Sequence, residues 1–204
     1  MPRSYIEEPP PPLPPFGFEV DMRPEDFVLE RLASVGIRAE DVDLLVCTHF
    51  DEDHAGNHEL FTAADLVVQR RHHEVATAGH PRFAVVRSHW DAPGLRYRLV
   101  DGDVTLLPGI ELVATGGHVP GHQSVLVRLP ETGPVLLAID AVPAAAYFDP
   151  RDREALPHDE DEDETRTSTR KLVELAERER APLVVFGHDA DQWPTLRHAP
   201  DCYT

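Results

Sequence analysis

The segment THFDEDHAGN, residues 48–57, places two histidines and two aspartates close together, directly after the apolar run DLLVC of residues 43–47. A short apolar run is typical of a buried strand, and α/β proteins commonly carry their chemistry in the loops that follow strands. Imidazole and carboxylate groups hold zinc-like ions where thiolate is absent. Because ligands spaced by two in an extended loop point the same way, His49 and Asp51 could face one ion. The segment therefore predicts a metal site at a strand end.

Three later segments repeat this arrangement. His118 lies in TGGHVPGHQSVLV (115–127), Asp140 follows the apolar run in LLAIDA (136–141), and His188 lies in VVFGHDADQ (184–192). Each segment alone is weak evidence, but four of them in one chain are hard to assign to chance. A carboxylate such as Asp140 can bridge two cations, which offset its charge.

The order and spacing of these segments resemble the metallo-β-lactamase superfamily, and within it the N-acyl homoserine lactonases. The resemblance extends from about Asp21 to the C-terminus. It implies an α/β fold, the metallo-β-lactamase-like αββα sandwich, with an incomplete N-terminal sheet as a variant. Residues 1–20 are rich in proline and are predicted to form a disordered or loop segment without a packed element, followed by one domain over residues 21–204.

The resemblance also implies a metal-dependent hydrolase with one or two divalent ions, zinc first and manganese or iron as alternatives. Hydroxide held between the ions would attack a lactone carbonyl, and Asp53 or the bridging Asp140 would pass a proton to the leaving alkoxide. The implied ligands form a first set, a second set and a bridge. They are His49 and His118; Asp53, His54 and His188; and Asp140.

Three departures from the family pattern bear on the site. Asp51 stands where the family has a second motif histidine. A carboxylate reaches less far and prefers harder ions, so Asp51 is predicted to be a ligand of an altered first site; the alternative is that it binds no metal and the protein holds one ion. The family tyrosine after the bridging aspartate is replaced by Pro143, which leaves Tyr147 as the candidate substrate contact. Nothing matches the family's first strands and Asp-Thr-Gly turn, which indicates either a late gene start or a truncation.

The remaining histidines are assigned supporting or surface roles. His122 is expected to hydrogen-bond near the site without binding metal. His58 could supply the nitrogen that Asp51 lacks, although a surface or capping role is favoured. The others are predicted to be surface residues; they are His72, His73, His80, His89, His158 and His198.

Secondary structure follows from the apolar runs and the turn residues between them. Strands are predicted near residues 42–47, 66–68, 97–100, 104–107, 110–114, 124–129, 135–139 and 183–186. Helices are predicted at residues 24–35, 71–78 and 167–179. The acidic run of residues 158–164 is interpreted as a solvated surface loop.

Composition limits the partners. A net charge of −18 over 204 residues argues against nucleic acid, whose phosphates would be repelled. No apolar run approaches the about 20 residues of a membrane span, and the N-terminus lacks an apolar signal region, which predicts a cytoplasmic protein without membrane contact. A small-molecule ester or lactone is the expected partner. Strand edges exposed by an incomplete sheet would make a homodimer possible.

Three functions remain open at this point. The GHVPGHQS and FGHD strings favour a quorum-quenching lactonase that acts on acyl homoserine lactones. A thioester or other ester hydrolase, similar to glyoxalase II, keeps the same chemistry with another substrate. A degenerate, non-catalytic metal-binding module is the third possibility, because Asp51 and the unmatched N-terminal strands are possible signs of decay.

Overall fold

The computed structural model describes residues 1–10 and 20–204. Their contacts form two compact units, each built from two stretches of chain. The first unit comprises Met1–Val67 and Gly79–Arg98, and the second comprises Val68–Ala78 and Leu99–Thr204. This division does not coincide with the boundary predicted between residues 20 and 21.

The described residues contain five α-helices and eight strands, together with several short 3-10 helices. The helices are α1 (Val28–Ser34), α2 (Glu52–Ala55), α3 (Arg70–Thr77), α4 (Arg87–Trp90) and α5 (Glu162–Glu179). The strands are β1 (Leu44–Val46), β2 (Asp65–Gln69), β3 (Arg96–Val100), β4 (Val104–Leu107), β5 (Ile110–Ala114), β6 (Gln123–Leu129), β7 (Gly133–Ile139) and β8 (Leu183–Phe186). Each predicted strand coincides with an observed one to within a few residues.

In the first unit, β1 pairs with β2 in parallel, with Leu45 opposite Leu66. The sheet has the order β1-β2-β3. The loop after β1 is anchored by Phe50, which is fully buried and stacks on the Trp90 ring at 4.7 Å between centroids. Burial of Phe50 in this aromatic core fixes the loop that carries His49 and Asp51.

The second unit contains a five-stranded sheet of order β4-β5-β6-β7-β8. Strands β4 to β7 pair in antiparallel fashion, and β8 joins β7 in parallel after the chain has passed through α5. Leu172 on α5 is fully buried in one cluster with Leu126 and Leu136 of the sheet. Burial of this helix face fixes α5, and therefore the residues just before it, against the sheet.

The acidic run is not a solvated loop throughout, because α5 begins at Glu162 rather than near residue 167. Asp161 caps the helix by accepting a hydrogen bond from the Glu164 N–H at 2.8 Å. Acidic side chains in a first helical turn are stabilised by the helix dipole. The charge block that suggested a loop is therefore a helix start.

The prediction that residues 1–20 hold no packed element is wrong for the 3-10 helix Arg3–Ile6. Its Tyr5 hydroxyl donates to Glu52 at 2.6 Å, and a Cβ at Gly56 would lie 2.5 Å from Pro2. The N-terminal residues therefore pack against α2 and its C-terminal glycine. Residues 11–19, which carry most of the prolines, lie outside the described residues.

In the part of the chain that the structure describes, no helix has both the length and the apolar character that a bilayer span requires.

Candidate metal centre

The loop after β1 gathers its four predicted ligands within the first unit. His49 Nε2 lies 3.3 Å from Asp51 Oδ2, and His54 Nε2 lies 3.2 Å from Asp53 Oδ2. The two imidazole rings are 4.1 Å apart between centroids. Asp51 is the residue before α2, whose first turn carries Asp53 and His54. This turn brings the side chains together, whereas a fully extended chain would separate them.

Asp51 has a second partner that the sequence did not indicate. Its Oδ1 accepts from Arg82 Nε at 2.7 Å, and its Oδ2 accepts from an Arg82 terminal nitrogen at 2.5 Å. Arg82 belongs to the 3-10 helix Pro81–Ala84 and lies 31 residues from Asp51 along the chain. No local spacing or motif connects the two residues, so pattern reading could not find this pair.

In the second unit, Asp140 lies between two of the predicted histidines. His118 Nε2 is 3.5 Å from Asp140 Oδ2, and His188 Nε2 is 3.2 Å from Asp140 Oδ1. The residue before Asp140, Ile139, has a φ of +54°, which a β-branched residue adopts only under strain. A Cβ at Gly187 would lie 2.4 Å from Asp140 Oδ1, so only glycine lets the end of β8 approach so closely.

A buried carboxylate, that of Asp159, contacts the His118 ring nitrogen that does not face Asp140. His118 Nδ1 lies 3.2 Å from Asp159 Oδ1, while Asp159 Oδ2 accepts from Arg153 at 2.8 Å and from the Leu156 N–H at 2.8 Å. Burial acts to raise the pKa of Asp159, but the hydrogen bonds from His118 and Leu156 and the Arg153 charge lower it below the ordinary value. An ionised carboxylate can only accept, so Nδ1 is the donor and Nε2 is left to face Asp140.

Asp159 and its neighbour His158 are functional candidates that the sequence interpretation missed. Both lie in the run taken for a solvated loop, yet the Asp159 and Arg153 side chains are fully buried. The ring of His158 is 5.2 Å from that of His118, and ligand atoms of His118, His158 and Asp159 lie within 4.8 Å of one another. His158 is half-buried and lies beside His118, a proximity that the sequence did not indicate.

His122 and Tyr147 lie in the second unit, and their roles stay predictions. His122 is fully buried, with Nδ1 2.9 Å from the Thr115 hydroxyl and its ring 6.0 Å from that of His118. Tyr147 packs against the core of the unit, and the Arg153 guanidinium lies 5.3 Å from its ring centroid.

Two further histidines are buried, His58, for which a surface or capping role was favoured, and His72, which was predicted to be a surface residue. His58 contacts Phe50 edge to face at 6.0 Å, and burial lowers the His58 pKa to about 4, which keeps the imidazole neutral. His72 is fully buried, with Nδ1 2.8 Å from the Pro120 carbonyl oxygen. A Cβ at Gly121 would lie 2.6 Å from the His72 backbone nitrogen, so this contact positions the loop that carries His118.

The donor atoms suit a divalent ion of the zinc class or a harder one. The candidate ligands are imidazoles and carboxylates, and the missing Cβ at Gly187 lets Asp140 Oδ1 approach the end of β8. Cys47 offers no thiolate, because burial raises the pKa of its thiol well above the ordinary value. The ligand set is therefore one of nitrogen and oxygen.

Comparisons with known proteins agree with this reading. A family profile described as "Metallo-beta-lactamase superfamily" matches residues 15–188. The N-acyl homoserine lactonase AttM of Azorhizobium caulinodans is 39% identical over 192 residues, which cover 89% of this chain and 71% of that protein. An N-acyl homoserine lactonase of a Bacillus species is 34% identical over 171 residues, 84% of this chain and 65% of that protein. The chain thus spans slightly under two thirds of that relative.

Solved structures give the same result. A structure of an N-acyl homoserine lactone hydrolase with N-hexanoyl-L-homoserine at its catalytic metal centre has a TM-score of 0.84 and 30% identity, covering 98% of this chain and 78% of that one. A Bacillus thuringiensis AiiA variant with N-decanoyl-L-homoserine bound has a TM-score of 0.79 and 31% identity, covering 89% and 69%. The fold class predicted from the sequence is confirmed.

Proposed function

The chain belongs to the metallo-beta-lactamase superfamily, and we propose that it is a metal-dependent hydrolase that opens the ring of a lactone of the N-acyl homoserine lactone class. The observation that carries the proposal is Asp140, whose two oxygens each lie beside the Nε2 atom of a different histidine. A carboxylate in this position is suited to bridging two sets of metal ligands. The names of the relatives support the substrate class.

The candidate ligands, from which the bound ion takes its set, are the residues implied by the sequence other than Asp51. They are His49, Asp53, His54, His118, Asp140 and His188. A divalent ion bound by such residues supplies Lewis acidity toward a carbonyl oxygen and makes bound water more acidic. Zinc is the first candidate because imidazole and carboxylate suit it, with manganese or iron as alternatives.

The chain's own residues would then orient and move protons. Asp159, held by Arg153, keeps the Nδ1–H of His118 engaged and so directs Nε2 toward Asp140. Opening a lactone converts the ring oxygen to an alcohol, which requires a proton on the leaving alkoxide. The water that adds to the carbonyl carbon gives up this proton. Asp53, whose side chain is 25% exposed, and Asp140 are the carboxylates proposed to pass it to the alkoxide.

A ring-opening assay on metal-reconstituted protein tests the proposal. We expect turnover of N-hexanoyl and N-decanoyl homoserine lactones by the wild type, loss of turnover in His188→Ala, and unchanged turnover in His198→Ala. His198 is an exposed histidine that hydrogen-bonds the Trp193 carbonyl, which makes it a matched control. Absence of turnover at every acyl length with stoichiometric metal bound would exclude this substrate class, and a clear preference for a thioester would replace it.

A further inference from the structure

The Asp51 carboxylate is occupied by a guanidinium group. Both of its oxygens accept hydrogen bonds from Arg82, at 2.7 and 2.5 Å, in the parallel two-bond geometry typical of strong arginine–carboxylate pairs. The side chains are only 14% and 22% exposed, so the pair is shielded from most solvent screening. Such a pair is stronger and better oriented than a surface ion pair.

The core of the first unit fixes both members of the pair. Phe50 precedes Asp51 and Phe83 follows Arg82, and both phenylalanines are fully buried. Their rings pack edge to face, with centroids 6.3 Å apart. Because Phe50 and Phe83 are the chain neighbours of Asp51 and Arg82, the packing of the two rings fixes the backbone at both charged residues. This places the carboxylate and the guanidinium within reach of each other.

Asp51 also contacts His49, one of the candidate ligands. His49 is fully buried, and its Nε2 faces Asp51 Oδ2 at 3.3 Å. The nitrogen that would hold an ion therefore has a carboxylate beside it, and that carboxylate is bonded to a permanent cation. A divalent ion placed here would be repelled by the Arg82 charge at short range. Arg82 already supplies the positive charge that an ion would bring.

We infer that the Asp51–Arg82 pair takes the place of one metal-bound histidine, so that the protein holds one divalent ion tightly instead of two. The ion is held by the candidate ligands other than His49, which serves as a hydrogen-bond partner of Asp51. This inference rests on the proposed metal centre. Of the two roles that the sequence left open for Asp51, it selects the one in which Asp51 binds no metal.

Metal equivalents measured by inductively coupled plasma mass spectrometry, after reconstitution with zinc and dialysis against metal-free buffer, test the inference. We expect one equivalent per chain in the wild type, one in His49→Ala and none in His54→Ala. The double variant Asp51→His/Arg82→Met, which restores an imidazole and removes the cation, should hold two. Arg87→Met, which removes the arginine of the exposed Arg87–Asp91 pair, is the matched control and should hold one.

Two tight equivalents in the wild type would overturn the inference, and so would a single equivalent that is lost in His49→Ala but kept in His54→Ala. A folded double variant that still holds one equivalent would also contradict it; circular dichroism establishes folding. If the double variant does not fold, the wild type and the two histidine variants decide the question. A wild type that holds no metal would overturn the proposed metal centre itself, which is a distinguishable result.

Discussion

The candidate ligands of the two units, in the loop after β1 and at the three ligand positions of the second unit, have neighbours of opposite charge. In the second unit, His118 has a buried carboxylate behind it and Asp140 has an imidazole on each side. In the loop, the carboxylate of Asp51 is bonded to Arg82. Support by an anion strengthens an imidazole as a metal ligand, whereas support by a cation weakens a carboxylate in that role. Residue type alone therefore does not show which groups will bind an ion.

The largest effect is expected at Asp140. Asp140→Asn keeps the shape of the side chain but removes the negative charge between two imidazoles. We expect metal affinity to fall by more than the roughly 100-fold that marks the upper range for supporting residues. Competition with a chromophoric chelator measures this change. Retention of wild-type affinity would show that Asp140 is not a ligand. The contrast between the second unit and the Asp51 loop would then have no support.

Phe50→Ala tests whether the aromatic core holds the loop. Phe50 is fully buried and stacked on Trp90, so the substitution should lower the free energy of unfolding by about 3–5 kcal/mol. Chemical denaturation measures the change. Leu107→Ala, at a residue that is 44% exposed, is the control and should change stability by less than about 0.5 kcal/mol. Equal effects of the two substitutions would contradict the anchoring role of Phe50.

Asp159→Asn tests the carboxylate behind His118. Because an amide supports an imidazole less strongly than a carboxylate, metal affinity should fall by roughly 10–100-fold while the fold is retained. Isothermal titration with zinc gives the affinity. Asp163→Asn, in the exposed first turn of α5, should leave the affinity unchanged. If both variants bind zinc as the wild type does, Asp159 has no positioning role.

The smallest effect is expected at Asp161, which is close to Asp159 in the chain but caps α5. Asp161→Ala should reduce stability by about 1 kcal/mol and leave metal affinity unchanged. Thermal unfolding and zinc titration of the same preparation separate the two quantities. A loss of affinity as large as that of Asp159→Asn would mean that the acidic segment acts as a unit, without separate roles for these residues.

The strands and the order of the candidate ligands were predictable because they depend on local sequence. Apolar runs bounded by glycine and proline turns located each strand, and the site segments follow β1, β5, β7 and β8 directly. The helix predicted over residues 24–35 is interrupted, since the 3-10 helix Pro24–Asp26 ends at Phe27, whose φ and ψ are extended and whose side chain is buried.

The supporting residues were not predictable for the opposite reason. Arg82 meets Asp51 across 31 residues, and Asp159 meets His118 across 41, so neither contact leaves a periodic signal. The charge of the acidic run suggested solvent exposure, but a buried arginine compensates for the buried Asp159. The burial of His58 and His72 likewise depends on tertiary packing, which a histidine's local sequence does not reveal.

Anomalous X-ray scattering from crystals grown with zinc tests most directly whether these residues form a metal centre. We expect a peak at about 2.0–2.2 Å from a carboxylate oxygen of Asp140, with imidazole nitrogens completing the coordination. Zinc peaks only at other positions, or a fully reconstituted protein without a peak beside Asp140, would contradict this expectation.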